Sequence, residues 1–276
     1  MDYWRLIRPR IIGMVLFGMA IAAWTAGRPP VDVVAVLHAL LGTGVLIAGA
    51  IALNQRIEGR SDSRMKRTAT RPLPSGNLTT RQVTCFGLIA STVGLGYLAA
   101  FCQPLLAALA AVNWAAYVLT YTPLKSRSVW QTPVGAVAGA LPMLLGAAAV
   151  DAAFSPMALS LFAIAYFWQF PHSMAIAWLY REQFAMAETR LATVVDPTGQ
   201  MAGWLAVGGA AVLLPVSLTP LISSAGPLYA VVAVLLGIGY LISAIGFLRT
   251  ADDTTARRML RASFVYLPVV LLALLV

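Results

Sequence analysis

The chain has 276 residues, of which 60% are hydrophobic and 11% are charged, and its formal net charge is +9. Soluble domains carry about 25% charged residues, so this composition excludes an ordinary soluble domain, a disordered chain and a disulfide-stapled secreted module. The apolar residues form long unbroken runs rather than alternating segments, which argues against a transmembrane β-barrel. We therefore expect an all-α, polytopic membrane protein.

Nine apolar stretches are long enough to cross a bilayer, since a spanning helix needs about 20 residues. In chain order they cover residues 11–27, 32–53, 82–101, 104–121, 131–150, 154–178, 200–222, 227–248 and 259–276. The sequence thus predicts a bundle of nine transmembrane helices that forms one domain over residues 1–276.

The distribution of basic residues supports this count. With nine spans, all of the 19 lysines and arginines except Arg28 fall on the side of the membrane that carries the N-terminus. Basic connections face the cytoplasm, so we expect a cytoplasmic N-terminus and a C-terminus on the opposite side. The net charge follows from this topology and favours contact with anionic membrane lipid, so we expect no nucleic-acid partner.

The connection after the second span, residues 54–81, combines oxygen-bearing and basic side chains. Asn54, Glu58 and Asp62 recur every four residues, so on a continuing helix they would share one face. Such ligands suit Mg²⁺, which binds a few carboxylates together with substrate phosphate oxygens. Three basic side chains follow closely, Lys66, Arg67 and Arg71. Because basic groups match phosphate oxygens, this pattern favours a metal–diphosphate site over a merely solvated loop.

Further candidate residues lie at the end of the fourth span and inside the sixth. Tyr121 and Lys125 close the fourth span, where either a phosphate-binding role or an interfacial anchoring role fits them. Trp168, Gln169 and His172 lie within the sixth span. An ionisable group at that depth is costly and tends to be functional.

These motifs resemble those of the intramembrane aromatic (UbiA-type) prenyltransferase superfamily. The pattern Asn-x-x-x-Glu-x-x-x-Asp, followed by Arg-Thr-x-x-Arg-Pro-Leu, occupies residues 54–73 and is similar to its first motif. Three other segments, residues 6–10, residues 121–146 with Tyr-Thr-Pro-Leu-Lys, and the Phe-Trp-Gln-Phe-Pro-His run of residues 167–172, resemble its protoheme IX farnesyltransferase branch. The likeness covers residues 5 to about 200, and nine spans is the count in that superfamily.

The resemblance implies a reaction and a cofactor. In that branch the farnesyl group of farnesyl diphosphate is joined to a vinyl group of heme b, which gives heme O, with Mg²⁺ as the cofactor. By this likeness Asn54, Glu58 and Asp62 are expected to bind Mg²⁺ and to act in catalysis. The residues expected to bind the substrate diphosphate are Lys66, Arg67, Arg71, Tyr121 and Lys125.

The acceptor pocket is expected to include Trp168, Gln169 and His172. His172 would either contact the heme iron or move a proton, and the structural alternative is a core histidine bonded to the carbonyl freed by Pro171. The resemblance further implies a bacterial inner-membrane location. A downstream heme A synthase or an oxidase assembly factor would be a candidate partner.

The chain departs from the branch pattern in the connection over residues 179–199. Gln183 and Phe184 stand where that pattern has an Asp-Tyr pair. Glu182 is a candidate ligand for a second Mg²⁺, but it stands one residue before the position of the expected aspartate. On a helix its side chain would therefore point about 100° away from the direction of that aspartate. Either Glu182 or Glu188 replaces the expected aspartate as a ligand of a second Mg²⁺, or one Mg²⁺ is enough for the reaction, or the substrate differs.

Two other functions stay open at this point. One is a prenyltransferase that acts on a quinone or chlorophyll precursor. The other is a non-catalytic isoprenoid-binding membrane protein or transporter, which the acidic and basic residues between Asn54 and Arg71 argue against.

Overall fold

The computed structural model describes residues 1–223 and 225–276, and all regular structure in these residues is helical. Within them, nine long helices follow one another along the chain. They are α1 (Pro9–Ala26), α2 (Val33–Ile57), α3 (Thr80–Phe101), α4 (Pro104–Ala115, continued by Ala116–Tyr121 and Thr122–Leu124), α5 (Gln131–Ala148), α6 (Pro156–Leu179), α7 (Gln200–Val216), α8 (Pro227–Thr250) and α9 (Asp253–Ala273). Short helices lie in the connections, at Asp2–Ile7, Gly59–Ser63, Arg181–Met186, Ala192–Val195 and Thr219–Ile222.

The expectation of an all-α membrane protein is confirmed. In the described part of the chain seven helices are long and apolar enough to cross a membrane, namely α1 to α5, α7 (to Ile222) and α8. The helices α6 and α9 coincide with the sixth and ninth predicted spans but are more polar, since α6 carries Gln169 and His172 and α9 carries three arginines. The count of nine spans therefore stays a prediction.

The ninth helix begins earlier than predicted. It starts at Asp253 rather than at residue 259, because the side chain of Asp252 accepts a hydrogen bond from the backbone N–H of Thr255 and caps the first turn. The added turns are charged, so hydropathy alone does not reveal them.

The predicted continuous helix through Asn54, Glu58 and Asp62 is wrong. Helix α2 ends at Ile57, and Glu58 has φ −83° and ψ 1°, which is the bridge region rather than the α region. Glycine is a poor helix former, and Gly59 follows directly, where a Cβ atom would lie 3.2 Å from Leu73. Helix α2 therefore ends here, and the short helix Gly59–Ser63 follows it.

The bundle has two differently packed parts. Helices α6 to α9 enclose a dense core whose largest fully buried side chains are Tyr229, Tyr240, Phe247 and Tyr266. Helices α1, α2, α4, α5 and α6 instead surround two cavities, while α3 packs closely against α2 through small residues. Helices α7 to α9 thus pack densely against α6, and α6 also lines the cavities of the N-terminal part of the bundle.

Candidate active site

A polar cavity of about 390 Å³ lies where α2, α4 and α6 end and α1 and α5 begin. Its charged lining consists of Arg8, Glu58, Asp62, Arg67, Arg71 and Lys125. Because four of these side chains are basic and two are acidic, the cavity carries a net positive charge. It suits an anionic ligand that arrives with a divalent cation.

Asp62 is the most deeply buried charged side chain of the polar cavity, with 1% of its surface exposed. Its Oδ2 pairs with the guanidinium of Arg71, whereas its Oδ1 is buried and has no hydrogen-bond partner among the described residues. Burial, together with the negative charge of Glu58, raises the pKa of Asp62 against the opposing effect of Arg71. An unpartnered carboxylate oxygen is costly to bury, and a hard cation would satisfy it.

Asn54 presents its amide oxygen as a further ligand. The hydroxyl of Thr122 donates to the carbonyl of Tyr117 over 2.7 Å, so its oxygen must accept the other hydrogen bond that it makes, of 3.0 Å, from Nδ2 of Asn54. A hydroxyl has a single hydrogen to donate, which fixes the amide with Nδ2 towards Thr122 and leaves Oδ1 free. Two carboxylates and one amide oxygen thus fit the oxygen-rich coordination of Mg²⁺.

Glu58 and Lys125 form an ion pair across the cavity, with 2.6 Å between Oε1 and Nζ. The ammonium of Lys125 also lies 4.4 Å from the ring centroid of Tyr121. Burial disfavours the charged lysine, but the charge of Glu58 outweighs this effect and the pKa of Lys125 is raised. Lys125 therefore stays protonated and can bind an anion.

Arg67 and Arg8 complete the basic side of the cavity. The guanidinium of Arg67 lies 5.0 Å from the ring centroid of Tyr180 and 5.7 Å from that of Phe184. Arg8 joins the helix Asp2–Ile7 to α1 with φ 53°, and among the described residues no acidic group lies within ion-pair distance of it. Burial lowers the pKa of Arg8, and the charges of Arg71 and Arg67 lower it further.

An apolar cavity of about 290 Å³ adjoins the polar one inside the bundle. The residues that line both cavities are Tyr117, Tyr121, Gln131, Ser173 and Leu191. Side chains of α1, α2, α4, α5 and α6 enclose the apolar cavity. Small-molecule sites are mostly apolar with a few placed polar groups, so the pair of cavities suits a ligand with a charged head and an apolar chain.

A π-helical turn in α4 places several of these residues. Residues Ala116–Tyr121 form this turn, and the carbonyl of Tyr117 accepts the hydroxyl hydrogen of Thr122, five residues later. Such turns are rare and are often found at functional sites. Here the turn brings Tyr117 and Tyr121 to the junction of the cavities and Thr122 to Asn54.

The three candidate residues of α6 have different surroundings. His172 lines the polar cavity, while Gln169 lines the apolar cavity and donates to the carbonyl of Ala136 over 3.1 Å. Trp168 lines neither cavity: its ring stacks on that of His172 at 4.7 Å, and its Nε1 donates to the carbonyl of Ser263 over 2.8 Å.

The structure does not bring Lys66 or Glu182 to the polar cavity. Both residues are exposed, and neither lines it. Once α2 has ended at Ile57, residues 64–78 form turns, so the spacing along a helix no longer decides which basic side chain points inward.

The connection over residues 179–199 contributes no carboxylate to the polar cavity. Gln183 instead accepts a hydrogen bond of 3.0 Å from the backbone N–H of Arg67, and Glu188 pairs with Arg64 at 2.7 Å. Over the described ranges, no three His, Cys, Asp or Glu side chains lie together as a metal cluster. Among the described residues, the predicted metal ligands that line the polar cavity are Asn54, Glu58 and Asp62.

Sequence reasoning missed several cavity residues. Arg8 belongs to the segment 6–10 that the resemblance already includes, so its position before Pro9 was an available signal. Tyr117, Thr122, Gln131 and Ser173 carry no charge and stand in apolar surroundings. Only the folded bundle brings them to the cavities.

Comparison with known proteins identifies the family. The model of the UbiA prenyltransferase family matches residues 15–267. A protoheme IX farnesyltransferase of Solibacter usitatus is 38% identical over 279 residues, which cover 98% of this chain and 96% of the relative. The protoheme IX farnesyltransferase of Opitutus terrae is 36% identical and covers 100% and 94% of the two chains.

Solved structures share the fold. A structure of digeranylgeranylglyceryl phosphate synthase has a TM-score of 0.81 at 17% identity and covers 99% of this chain and 96% of that one. A UbiA homolog from Archaeoglobus fulgidus bound to DMAPP and Mg²⁺ has a TM-score of 0.68 at 14% identity, over 98% and 100% of the two chains. At these identities the structures establish the fold alone. With the family match and the full-length relatives, the chain belongs to the UbiA prenyltransferase family.

Proposed function

We propose that this protein transfers the farnesyl group of farnesyl diphosphate to a vinyl group of heme b, which forms heme O and releases diphosphate. The observation that carries the proposal is the junction of a basic, acid-bearing cavity with an apolar cavity inside the bundle. The acceptor follows from the relatives named protoheme IX farnesyltransferase, which resemble this chain over nearly its whole length. The chain acts as a single domain over residues 1–276.

The substrate lies with its diphosphate in the polar cavity and its farnesyl chain in the apolar one. Arg8, Arg67, Arg71 and Lys125 bind the diphosphate, and Tyr121 lies beside it at the junction. Guanidinium groups suit this role because their N–H donors match pairs of phosphate oxygens. Burial of the farnesyl chain in the bundle keeps an apolar group out of water.

Asn54, Glu58 and Asp62 would hold Mg²⁺, and the unpartnered Oδ1 of Asp62 supports this assignment. When bound, the ion would neutralise charge on the departing diphosphate. The homolog from Archaeoglobus fulgidus, bound to DMAPP and Mg²⁺, is consistent with metal use in this fold. Lys66 and Glu182 have no place in this proposal, since both lie outside the cavity.

The reaction separates charge, and the basic side chains stabilise the leaving group. The C–O bond of farnesyl diphosphate breaks, and its electron pair leaves with the diphosphate towards the basic side chains. The allylic cation that remains lies at the junction, where the rings of Tyr117 and Tyr121 face it and shield it from bulk water. The vinyl electrons of heme b then form the new C–C bond. Water adds to the resulting cation and loses a proton, which gives the hydroxyethylfarnesyl chain.

The polar cavity lies on the cytoplasmic side in this proposal. With nine spans, the connections and helix ends on that side hold all lysines and arginines except Arg28, so the N-terminus is cytoplasmic and the C-terminus lies across the bacterial inner membrane. The product, heme O, would pass to a heme A synthase or to an oxidase assembly factor.

An acceptor assay tests the proposal. Purified protein in lipid nanodiscs, supplied with heme b, farnesyl diphosphate and Mg²⁺, should form heme O, detected by chromatography and mass spectrometry. Asp62→Asn should abolish turnover, whereas Asp253→Asn, which alters an exposed aspartate paired with Arg181, should retain it.

Two results would count against the proposal. Prenylation of a quinone precursor with heme b left unchanged would show that the acceptor is wrong. Binding of farnesyl diphosphate without reaction of any acceptor would instead indicate a non-catalytic isoprenoid-binding protein.

A further inference from the structure

Side chains of helix α9 contact the imidazole of His172. Its Nδ1 lies 2.8 Å from Oγ of Ser263, its ring stacks on Trp168 at 4.7 Å, and the ring of Phe264 meets it edge-on at 5.5 Å. Ser263 is 0% exposed and lines neither cavity, whereas His172 lines the polar cavity. The Nδ1 edge of the imidazole therefore faces the packed C-terminal helices, and the remaining edge faces the cavity.

The hydrogen bonds of Ser263 determine which nitrogen of His172 carries the proton. The hydroxyl of Ser263 donates its hydrogen to the carbonyl of Leu260 over 2.6 Å. A serine hydroxyl has only that hydrogen, so its oxygen must accept from Nδ1–H of His172. The neutral imidazole then carries its lone pair on Nε2, which has no hydrogen-bond partner among the described residues.

We propose that Ser263 is a positioning residue that fixes His172 in the Nδ1-protonated tautomer, and that the free Nε2 ligates the iron of the heme acceptor. The inference rests on the proposed function for the identity of the acceptor. A histidine that ligates a metal donates its other ring N–H to a fixed partner, which sets the tautomer and the ring orientation. Imidazole is also a common axial ligand of heme iron. Ligation would hold the porphyrin against α6, so that a vinyl group can lie near the junction of the cavities.

The tautomer can be measured directly because the chain has two histidines, His38 and His172. In protein labelled with ¹⁵N-histidine, the His172 resonances should indicate a protonated Nδ1 and an unprotonated Nε2. Ser263→Ala should remove this preference and Ser263→Thr should restore it. Ser160→Ala is the matched control. Ser160 lies on α6 like His172, is buried, and donates to the carbonyl of Pro156 without contacting His172.

Titration with ferric heme b, followed by absorption spectroscopy without farnesyl diphosphate, tests the ligation. Wild-type protein should give an imidazole-ligated spectrum, and His172→Ala should lose it while His38→Ala keeps it. Ser263→Ala should weaken heme binding about tenfold or more, and Ser263→Thr and Ser160→Ala should not.

Each arm can overturn one part of the proposal. An unchanged ¹⁵N spectrum and unchanged heme affinity in Ser263→Ala would refute the positioning role. A heme spectrum that His172→Ala leaves intact would refute ligation and would leave proton transfer as the role of His172. Imidazole-ligated heme that is not farnesylated would refute the proposed function alone, because the site would bind heme without using it as the acceptor.

Discussion

Arg8 lines the polar cavity close to two other arginines. It has no acidic partner within ion-pair distance in the described part of the chain, and Arg71 and Arg67 lie close enough to lower its pKa. A buried cation beside like charges is destabilising unless an anion binds. We therefore propose that Arg8 contributes to diphosphate binding and that its charge lowers the stability of the protein when no anion is bound.

Replacement of Arg8 separates these two effects. Arg8→Gln should weaken farnesyl diphosphate binding by about 1.5–3 kcal/mol, the contribution of one charged hydrogen bond. Thermal unfolding of the ligand-free variant should occur at the wild-type temperature or above it, because a repulsive charge is removed. Calorimetric titration and a thermal melt measure the two quantities.

Arg10→Gln is the control for this experiment, since Arg10 is exposed and does not line the polar cavity. It should leave the affinity unchanged. Equal affinities for the wild type and Arg8→Gln would remove Arg8 from the proposed site.

Residues that carry charge at short spacing are the ones whose proximity the sequence predicts most directly. Asn54, Glu58 and Asp62 lie within nine positions, so even a wrong local conformation leaves them near one another. Lys66 illustrates the limit of such reasoning, because the end of α2 at Ile57 changes which side chains face inward. Thr122 and Ser263 act through single hydrogen bonds to residues that are distant in sequence. Their roles depend on how the helices pack.

At the scale of the helices, hydrophobic runs predict where the spans lie but not how the helices deform. The predicted span over residues 104–121 corresponds to Pro104–Leu124, yet nothing in its periodicity reveals the π-helical turn at Ala116–Tyr121. Apolar residues line both the lipid face and the interior of a membrane helix, so a change of register leaves no trace in the hydropathy.

The close packing of α2 against α3 was not predicted from the sequence. A Cβ atom at Gly94 would lie 2.6 Å from the backbone nitrogen of Leu46, so only glycine fits. Gly94→Val should destabilise the protein by about 1–3 kcal/mol through overpacking. Thermal unfolding of the purified variants would measure this loss.

Gly96→Val is the matched control on the same helix, because a Cβ atom at Gly96 would have no neighbour within 4 Å. It should melt close to the wild-type temperature. If Gly94→Val melted at that temperature too, the close packing of α2 against α3 would be contradicted.

At the scale of the whole molecule, the orientation and the number of spans remain linked predictions. Ser63 lies at the polar cavity end, Gln103 lies between α3 and α4, and Val276 follows α9. With nine spans, Ser63 lies in the cytoplasm, and Gln103 and Val276 lie on the opposite side of the membrane. If only one of α6 and α9 crossed, the chain would have eight spans and Val276 would lie on the cytoplasmic side.

Cysteine labelling distinguishes these topologies. In a background that lacks Cys85 and Cys102, a membrane-impermeant maleimide should label Ser63→Cys only in inverted vesicles. It should label Gln103→Cys and Val276→Cys only in right-side-out vesicles. Labelling of Val276→Cys together with Ser63→Cys in inverted vesicles would contradict nine spans.

The division of the bundle explains how one fold serves both binding and chemistry. Helices α6 to α9 form a dense core, and α1, α2, α4, α5 and α6 surround the two cavities. A charged head in the polar cavity and an apolar tail in the apolar cavity can then be bound together. The proposal depends on a divalent ion that joins the acidic residues to the diphosphate.

Calorimetric titration of farnesyl diphosphate into the purified protein tests this dependence most directly. Binding should be tight with Mg²⁺, weak with EDTA, and weak in Asp62→Asn under both conditions. Equal affinity in EDTA and Mg²⁺, or wild-type affinity in Asp62→Asn, would contradict a metal–diphosphate site at Asn54, Glu58 and Asp62.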